Sequence, residues 1–273
     1  RALDSYWVIS DEEVALKCMS REHIRASGEG RMQEDFVKEI AALQHLSSEL
    51  DLDDYNEGES LHVLTAKKIM VNESNEPNES FAFIVMPYCS QGDIYQRVVD
   101  VVASTGRGLS ETEAKYWFKQ MLAGLRTLQR ARLCHRDLSP ENFIRLGNNT
   151  LVIDFGMCLR IPHTTDGRRY LIQTQSRCGK APHRAPEIQD PQPFDGHAVD
   201  LWATGTVLLY MLLGTRKRVF EAPQVVLTDL VQYHASGLLS ADALNMLARM
   251  FQPEPENRLT LDQICDHPFL QSL

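Results

Sequence analysis

The chain has 273 residues, 43% of them hydrophobic, and a formal net charge of −9. That length supports one large domain or two lobes with a substantial core. The acidic balance argues against general binding to nucleic acid or anionic membrane, both of which call for a basic surface, and is read as a solubility feature.

Six cysteines (Cys18, Cys89, Cys134, Cys158, Cys178, Cys265) are scattered without a C-x-x-C pair. They are read as free thiols of a reducing compartment, not as a disulfide framework or a zinc site. The expected location is the cytoplasm, with the nucleus as the alternative. Asn72-Glu73-Ser74 and Asn78-Glu79-Ser80 match the glycosylation sequon, but the motif is short and has no meaning in a cytosolic chain. The opening RALDSYW lacks the charged-then-apolar pattern of a signal segment.

In chain order, DEEVALKCM (11–19) alternates near Val14 and Leu16 with the period of a strand. RMQEDFVKEIAALQHLSSEL (31–50) repeats apolar residues at Phe36, Ile40, Leu43 and Leu46, which predicts a helix. The acidic 50–60 predicts a solvated loop. HVLTAKKIMV (62–71) and SFAFIVMPY (80–88) read as strands, joined by the polar, Pro-containing turn NESNEPNES (72–80). The texture then becomes helical. SETEAKYWFKQMLAGLRTLQRA (110–131) opens on Ser110 with Glu113 three residues on, a capping-box pattern. Trp117, Met121, Leu125 and Leu128 keep one apolar face. Further helices are predicted at 200–214 and 240–251. The apolar run 201–214 is shorter than the ~18 residues of a membrane span and is read as a buried core helix, so no membrane insertion is expected. A strand-rich first part and a helix-rich second part predict two lobes with a cleft between them.

A set of elements then occurs in fixed order: VALK (14–17), Glu39 within a helix, HRDLSPEN (135–142), and DFG (154–156) followed by APE (185–187). Each triplet alone arises by chance as a turn or a cap. Together, in order and with suitable flanks, they are the protein-kinase signature. From its start to HPFL (267–270) the chain resembles a eukaryotic-type protein kinase domain, closest to the serine/threonine class. The resemblance implies an α+β bilobal fold: an N-terminal lobe at 1–86 built on a small antiparallel sheet with one long helix, a hinge at 87–93, and a larger helical lobe at 94–273.

It also implies ATP and Mg²⁺ as cofactors and a protein as substrate. Phosphoryl transfer depends on positioning and charge neutralisation. Lys17 is expected to hold the α- and β-phosphates and Glu39 to fix Lys17. Asp137 is expected as the base for the substrate hydroxyl, and Asn142 and Asp154 as hard oxygen ligands for Mg²⁺. Phe155 is expected to pack under the helix carrying Glu39. In MPYCSQGD (86–93), Met86 resembles the gatekeeper. Pro87 would offer its carbonyl and Cys89 its N–H to adenine, and Asp93 is placed for a ribose hydroxyl. Ala15 and Ile144 would sandwich the adenine, with plain core packing as the competing reading. Glu187 and Arg258 resemble a structural ion pair, and Asp200 resembles the residue that braces the HRD backbone.

Two departures stand out. The loop lysine usual two residues past the base is Ser139, and the Thr usual after Gly179 is Lys180. The two positions are read as exchanged, with the Lys180 ammonium near Asp137 and the transferring phosphate. The other reading is a solvated loop charge and a weakened site. The segment 154–187 carries Thr164, Thr165, Tyr170, Thr174 and Ser176. Ser176 is the candidate activating phosphosite, with Arg136 to hold the phosphate. His183 and Arg184 replace commoner residues on the expected substrate platform.

No G-x-G-x-x-G precedes VALK, and Gly28 and Gly30 come too late to serve. The first strands and glycine loop are expected to lie upstream, leaving an unpaired sheet edge. The competing function is a pseudokinase, a scaffolding module favoured by Ser139 and the missing loop. A small-molecule kinase is disfavoured by APE and the long segment before it. Tyrosine specificity stays open because the loop lysine is absent.

Overall fold

The computed structural model describes residues 13–20, 36–49, 61–72, 81–173, 179–189, 192–215 and 223–271. The expected loop at 50–60, all of the expected turn 72–80 except Asn72, the whole stretch before residue 13, Gly28, Gly30, Thr174, Ser176 and Cys178 lie outside them.

β1 (Val14–Ser20), β2 (Lys68–Asn72) and β3 (Phe81–Pro87) form an antiparallel sheet in the order β1-β3-β2. The register sets Lys17 opposite Ile84 and Ala15 opposite Met86. β3 alternates, and its inward Ala82 and Ile84 are buried. α1 (Phe36–Glu49) lays Phe36, Leu43 and Leu46 into the same core, as its 3.6-residue period requires. Burying a side chain of this size contributes roughly 1.5–3 kcal/mol, so this stripe fixes α1 against the sheet.

The remainder is mostly helical. α2 (Ile94–Thr105) starts at Asp93, whose side chain accepts the Gln96 N–H, and ends at Gly106 in the left-handed region. α3 (Glu111–Arg130) starts at Ser110, whose hydroxyl accepts the Glu113 N–H at 3.2 Å. Trp117, Met121, Leu125 and Leu128 are buried on one face. The Glu113 carboxylate, however, does not close the expected box. It is taken by Arg97 at 2.7 Å and Trp117 Nε1 at 3.2 Å.

Then come β4 (Leu133–Cys134), the hairpin β5 (Phe143–Leu146) and β6 (Asn149–Val152), and β7 (Leu159–Arg160), which pairs with β4. α4 (Gly196–Leu213) has the length and apolar character of a membrane span, but 94% of it is buried inside the protein. It is a core helix, apolar on all sides because other elements cover all sides. α5 (Pro223–Ala235), α6 (Ala241–Met250), α7 (Leu261–Cys265) and α8 (Pro268–Gln271) complete the described chain. α7 carries a full capping box between Thr260 and Gln263.

One strand is shorter than its pattern predicts. HVLTAKKIMV forms a strand only from Lys68. Its first part instead crosses to the other layer: Leu64 N–H donates to Val152 O and Val152 N–H to His62 O, both at 2.9 Å. Thr127 Oγ1 donates to Leu61 O at 2.7 Å. Backbone polar groups must be paired somewhere, and here β6 and α3 supply the partners. The crossing relies on Gly124 of α3, where an added Cβ would lie 2.6 Å from His62 O and 2.8 Å from Val152 Cγ2. Gly124→Ala is expected to destabilise the protein by roughly 1–2 kcal/mol, because overpacking outweighs the ~1 kcal/mol that Ala gains over Gly in a helix. A thermal melt reads this. A variant as stable as the parent would show that the crossing segment yields freely.

Candidate active site

The site lies between the sheet and the helical body and is assembled from both. Lys17 projects from β1 and its Nζ donates to Glu39 of α1 at 2.7 and 2.9 Å. A third contact reaches Asp154 Oδ1 at 3.4 Å. Glu39 is buried and the Lys17 side chain is 30% exposed, so this is not a solvated surface pair. Burial works against the Lys17 charge, but Glu39 and Asp154 outweigh it and hold its pKa above the ordinary value. The ammonium is therefore a fixed cation at the cleft.

Below it, the loop after β4 is braced from α4. The Asp200 carboxylate accepts the backbone N–H of His135 at 2.7 Å and of Arg136 at 2.8 Å. Burial pushes Asp200 up to about 6, against the pull of His135, the two backbone donors and Arg136. Arg136 takes a left-handed φ of 69° and Asp154 one of 67°. Both are strained for residues with a Cβ, and such strain persists only where the surroundings over-determine it.

The His135 ring accepts the Asp137 N–H at Nδ1 and faces Ile153 O with Nε2 at 2.9 Å. Burial lowers its pKa, so the neutral ring with its proton on Nε2 suits both contacts. The ring lies 5.7 Å from Phe155, which is fully buried in the core shared with Leu43 of α1.

Asp137 is buried, and each carboxylate oxygen is occupied. Oδ1 accepts the backbone N–H of Lys180 at 2.9 Å and Oδ2 accepts Asn142 Nδ2 at 3.3 Å. Asn142 Nδ2 also donates to Asp137 O at 2.7 Å. Burial raises the Asp137 pKa, opposed by the Lys180 charge and its N–H. Lys180 Nζ donates to Ser139 Oγ at 2.7 Å and lies 4.0 Å from Asp137 Oδ2.

Two residues here, Asn142 and Asp154, carry the oxygen donors that could hold a hard cation. The Asn142 amide nitrogen is committed to Asp137, which turns its carbonyl oxygen the other way. The backbone carbonyl of Asn142, a separate group, accepts the Ile153 N–H at 3.0 Å, which brings the neighbouring Asp154 alongside. An amide oxygen and one carboxylate suit Mg²⁺, which binds few protein ligands and completes its shell with water and phosphate.

On the β3 side, Met86, Cys89 and Ile144 share a small apolar cluster with Leu64, Leu151 and Ile153. Cys89 is buried, and burial raises its thiol pKa. Its Sγ sits 3.8 Å from Pro87 O. Ala15 is half-buried opposite Met86. Asp93 caps α2 through Oδ1. Leu64 and Leu151 were not legible as site residues, because Leu64 reaches this cluster only through its pairing with β6. Glu141, inside HRDLSPEN, also belongs to the site: its Oε2 lies 3.9 Å from Lys180 Nζ.

Farther down, Arg258 and Glu187 make two parallel bonds at 2.6 and 2.7 Å. Arg136 Nη1 donates to Met157 O at 3.3 Å, while its Nε is buried with no hydrogen-bond partner among the described residues. His183 is buried against α4 instead of facing a platform surface. Its Nδ1 lies 2.6 Å from Thr206 Oγ1, which itself donates to Ala203 O. Arg184 donates to Gly179 O at 2.7 Å.

A small antiparallel sheet with one buried-Glu helix, set over a helical body that presents Asp137, Asn142 and Asp154 to the same cleft, defines the protein kinase fold. The chain belongs to the protein kinase family: the family model described as protein kinase domain matches residues 6–270. It is 32% identical over 205 residues to serine/threonine-protein kinase SAPK1 of Oryza sativa subsp. japonica, covering 70% of this chain and 56% of that protein. It is 26% identical to CBL-interacting protein kinase 20 of the same organism, covering 97% of this chain and 53% of that protein. To maternal embryonic leucine zipper kinase of Xenopus laevis it is 27% identical, covering 96% of this chain and 36% of that protein. The chain thus spans about half or less of the length of these curated relatives.

Proposed function

We propose that the chain transfers the γ-phosphoryl group of ATP to Ser or Thr hydroxyls of a protein substrate. The observation that carries this reading is the buried, fully hydrogen-bonded Asp137 held between Asn142 and Lys180, with the Lys17–Glu39–Asp154 charge set across the cleft. The names of the similar proteins support the serine/threonine class.

In this reading Lys17 holds the α- and β-phosphates, and Glu39 keeps its flexible side chain in place. Asn142 and Asp154 would hold Mg²⁺, whose charge neutralises phosphate oxygens. Asp137 accepts the proton of the attacking hydroxyl. The apolar patch of Met86, Cys89 and Ile144 receives the adenine, with Ala15 from above. The backbone of Pro87 and Cys89 serves its polar edge. Asp93 has one carboxylate oxygen left for the ribose. Arg136 and the Ser176 hydroxyl belong to an activating switch, and the supporting observation is that Arg136 Nε has no partner among the described residues. The Glu187–Arg258 pair secures the substrate platform.

The test is Mg·ATP-dependent phosphorylation of an unstructured Ser/Thr-rich protein, with Asp137→Asn as control. Transfer that vanishes in the control supports the reading. A folded protein that binds nucleotide and transfers nothing would instead be a binding module. Lys17→Met is expected to lower kcat/KM by about 10²–10³-fold, the typical effect of deleting one preorganised electrostatic contact. Stability should change less, since Lys17 is part-exposed and solvent screens its pairing. Equal turnover in parent and variant would remove Lys17 from the mechanism.

A further inference from the structure

The loop 135–142 contains one cation, Arg136, and its guanidinium turns away towards Met157 O at 3.3 Å and the Phe194 ring at 5.9 Å. The ammonium beside Asp137 comes from another part of the chain. Lys180 contacts the Asp137 carboxylate twice, with its N–H on Oδ1 at 2.9 Å and its Nζ 4.0 Å from Oδ2. The same Nζ donates to Ser139 Oγ at 2.7 Å. The side chain is 40% exposed, so an anion entering the cleft can still reach it.

The backbone at this point is built for close approach. Gly179 has φ +80°, and a Cβ there would lie 2.8 Å from Arg136 O. Only a residue without a Cβ lets the segment lie this near the loop at no steric cost. Arg184 donates to Gly179 O from the other side at 2.7 Å. Contacts to Asp137, Ser139 and Glu141 therefore seat Lys180, and each joins the segment between DFG and APE to the catalytic loop.

Building on the kinase reading above, we propose that Lys180 binds the transferring phosphoryl group, and that its place on this segment couples docking of the segment to the terminal phosphate of the nucleotide. A cation rooted in the catalytic loop stands ready whether or not the segment is docked. A cation rooted in the segment stands ready only when it is. Coupling is reciprocal: if docking strengthens binding of the terminal phosphate, that phosphate strengthens docking by the same factor. A diphosphate lacks the group that Lys180 would hold and exerts no such pull. Ser139 suits this arrangement because it is small and accepts a hydrogen bond from the ammonium. A second lysine there would place like charges a few ångströms apart.

The experiment compares the parent chain with Lys180→Thr, Ser139→Lys and the double variant. Phosphotransfer rates are measured with Mg·ATP. Hydrogen exchange of the 179–189 segment is followed with Mg·ADP and with a non-hydrolysable ATP analogue. Lys180→Thr is expected to lower turnover about 10²–10³-fold, while ADP affinity, which reports an intact cleft, stays within about twofold because Lys180 makes no contact with a diphosphate in this scheme. The double variant returns the cation to the loop. It is expected to recover at least about tenfold of that loss, since the charge is restored near the same oxygen atoms. In the parent the analogue protects 179–189 more than ADP does, and in the double variant that difference disappears.

Unchanged turnover in Lys180→Thr overturns the proposal. So does a double variant no faster than the single one, or equal protection of the parent by both nucleotides. If the parent shows no transfer that Asp137→Asn abolishes, the kinase reading fails by itself. The exchange arm then decides the coupling: protection specific to the analogue and lost in Lys180→Thr sustains it, and its absence ends it.

Discussion

Asp137→Asn is expected to lower turnover by about 10²–10⁴-fold, the range over which a positioned general base acts, with little change in the fold. The substitution is nearly isosteric. The hydrogen bonds around the residue constrain what it can do. One carboxylate oxygen accepts the Lys180 N–H and the other accepts Asn142 Nδ2. An amide offers a single oxygen, so one of these donors loses its acceptor, which costs roughly 1–3 kcal/mol. Its nitrogen cannot take the proton of a hydroxyl, and that loss dominates. Nucleotide affinity should hold, because Lys17 contacts both Glu39 and Asp154 without Asp137. Initial-rate measurements with Mg·ATP, beside a nucleotide-binding curve, separate the two effects. A loss smaller than about tenfold would deny Asp137 the part of base.

The second large effect concerns stability. Arg258→Ala is expected to cost about 3–5 kcal/mol, the typical result of removing one partner from a buried ion pair. The Arg258 side chain is 1% exposed and that of Glu187 is 14% exposed. The guanidinium makes two short bonds to Glu187, donates to the carbonyls of Gln252, Pro253 and Ala198, and lies 4.8 Å from the Trp202 ring centre. Truncation leaves a carboxylate and three carbonyl groups without their donor. For a domain of this size the melting temperature should fall by roughly 6–20 °C. Glu187→Gln keeps an acceptor and the packing, and should fall by less. If Arg258→Ala melts within about 2 °C of the parent, solvent must reach the pair and the energetic argument does not hold.

Much of this molecule is written in short-range pattern. Phe36, Leu43 and Leu46 recur at helical spacing and are buried in α1. Ser110 and Ser240 both cap the helices that follow them. The 201–214 run is apolar on all sides, and α4 is enclosed on all sides. Local patterns fail where a distant partner competes. Glu113 stands in a capping-box position, yet Arg97 of α2 offers it a fork with a formal charge on both sides and two parallel bonds, against the single bond a backbone N–H would give. His62, Val63 and Leu64 alternate like strand residues, yet β6 pairs with them and Gly124 lets them cross α3 closely. Thr260 and Gln263, by contrast, form a complete box, with no distant partner competing for either side chain among the described residues.

The sequence by itself determined the family, the helical faces and the identity of the chemical groups, because the ordered motifs and the 3.6-residue period are properties of neighbours along the chain. The resemblance already paired Lys17 with Glu39 and set Lys180 near Asp137, but only the tertiary structure decided the atoms that meet, such as Lys180 Nζ and Ser139 Oγ. Lys180 is 41 residues from Ser139, and nothing local ties the two. Their contact exists because Gly179 can approach the Arg136 carbonyl, Asp200 holds the HRD backbone in place, and Asp137 accepts the Lys180 N–H. Each of those conditions joins distant segments, and their cost in chain entropy is met only when the whole core is formed.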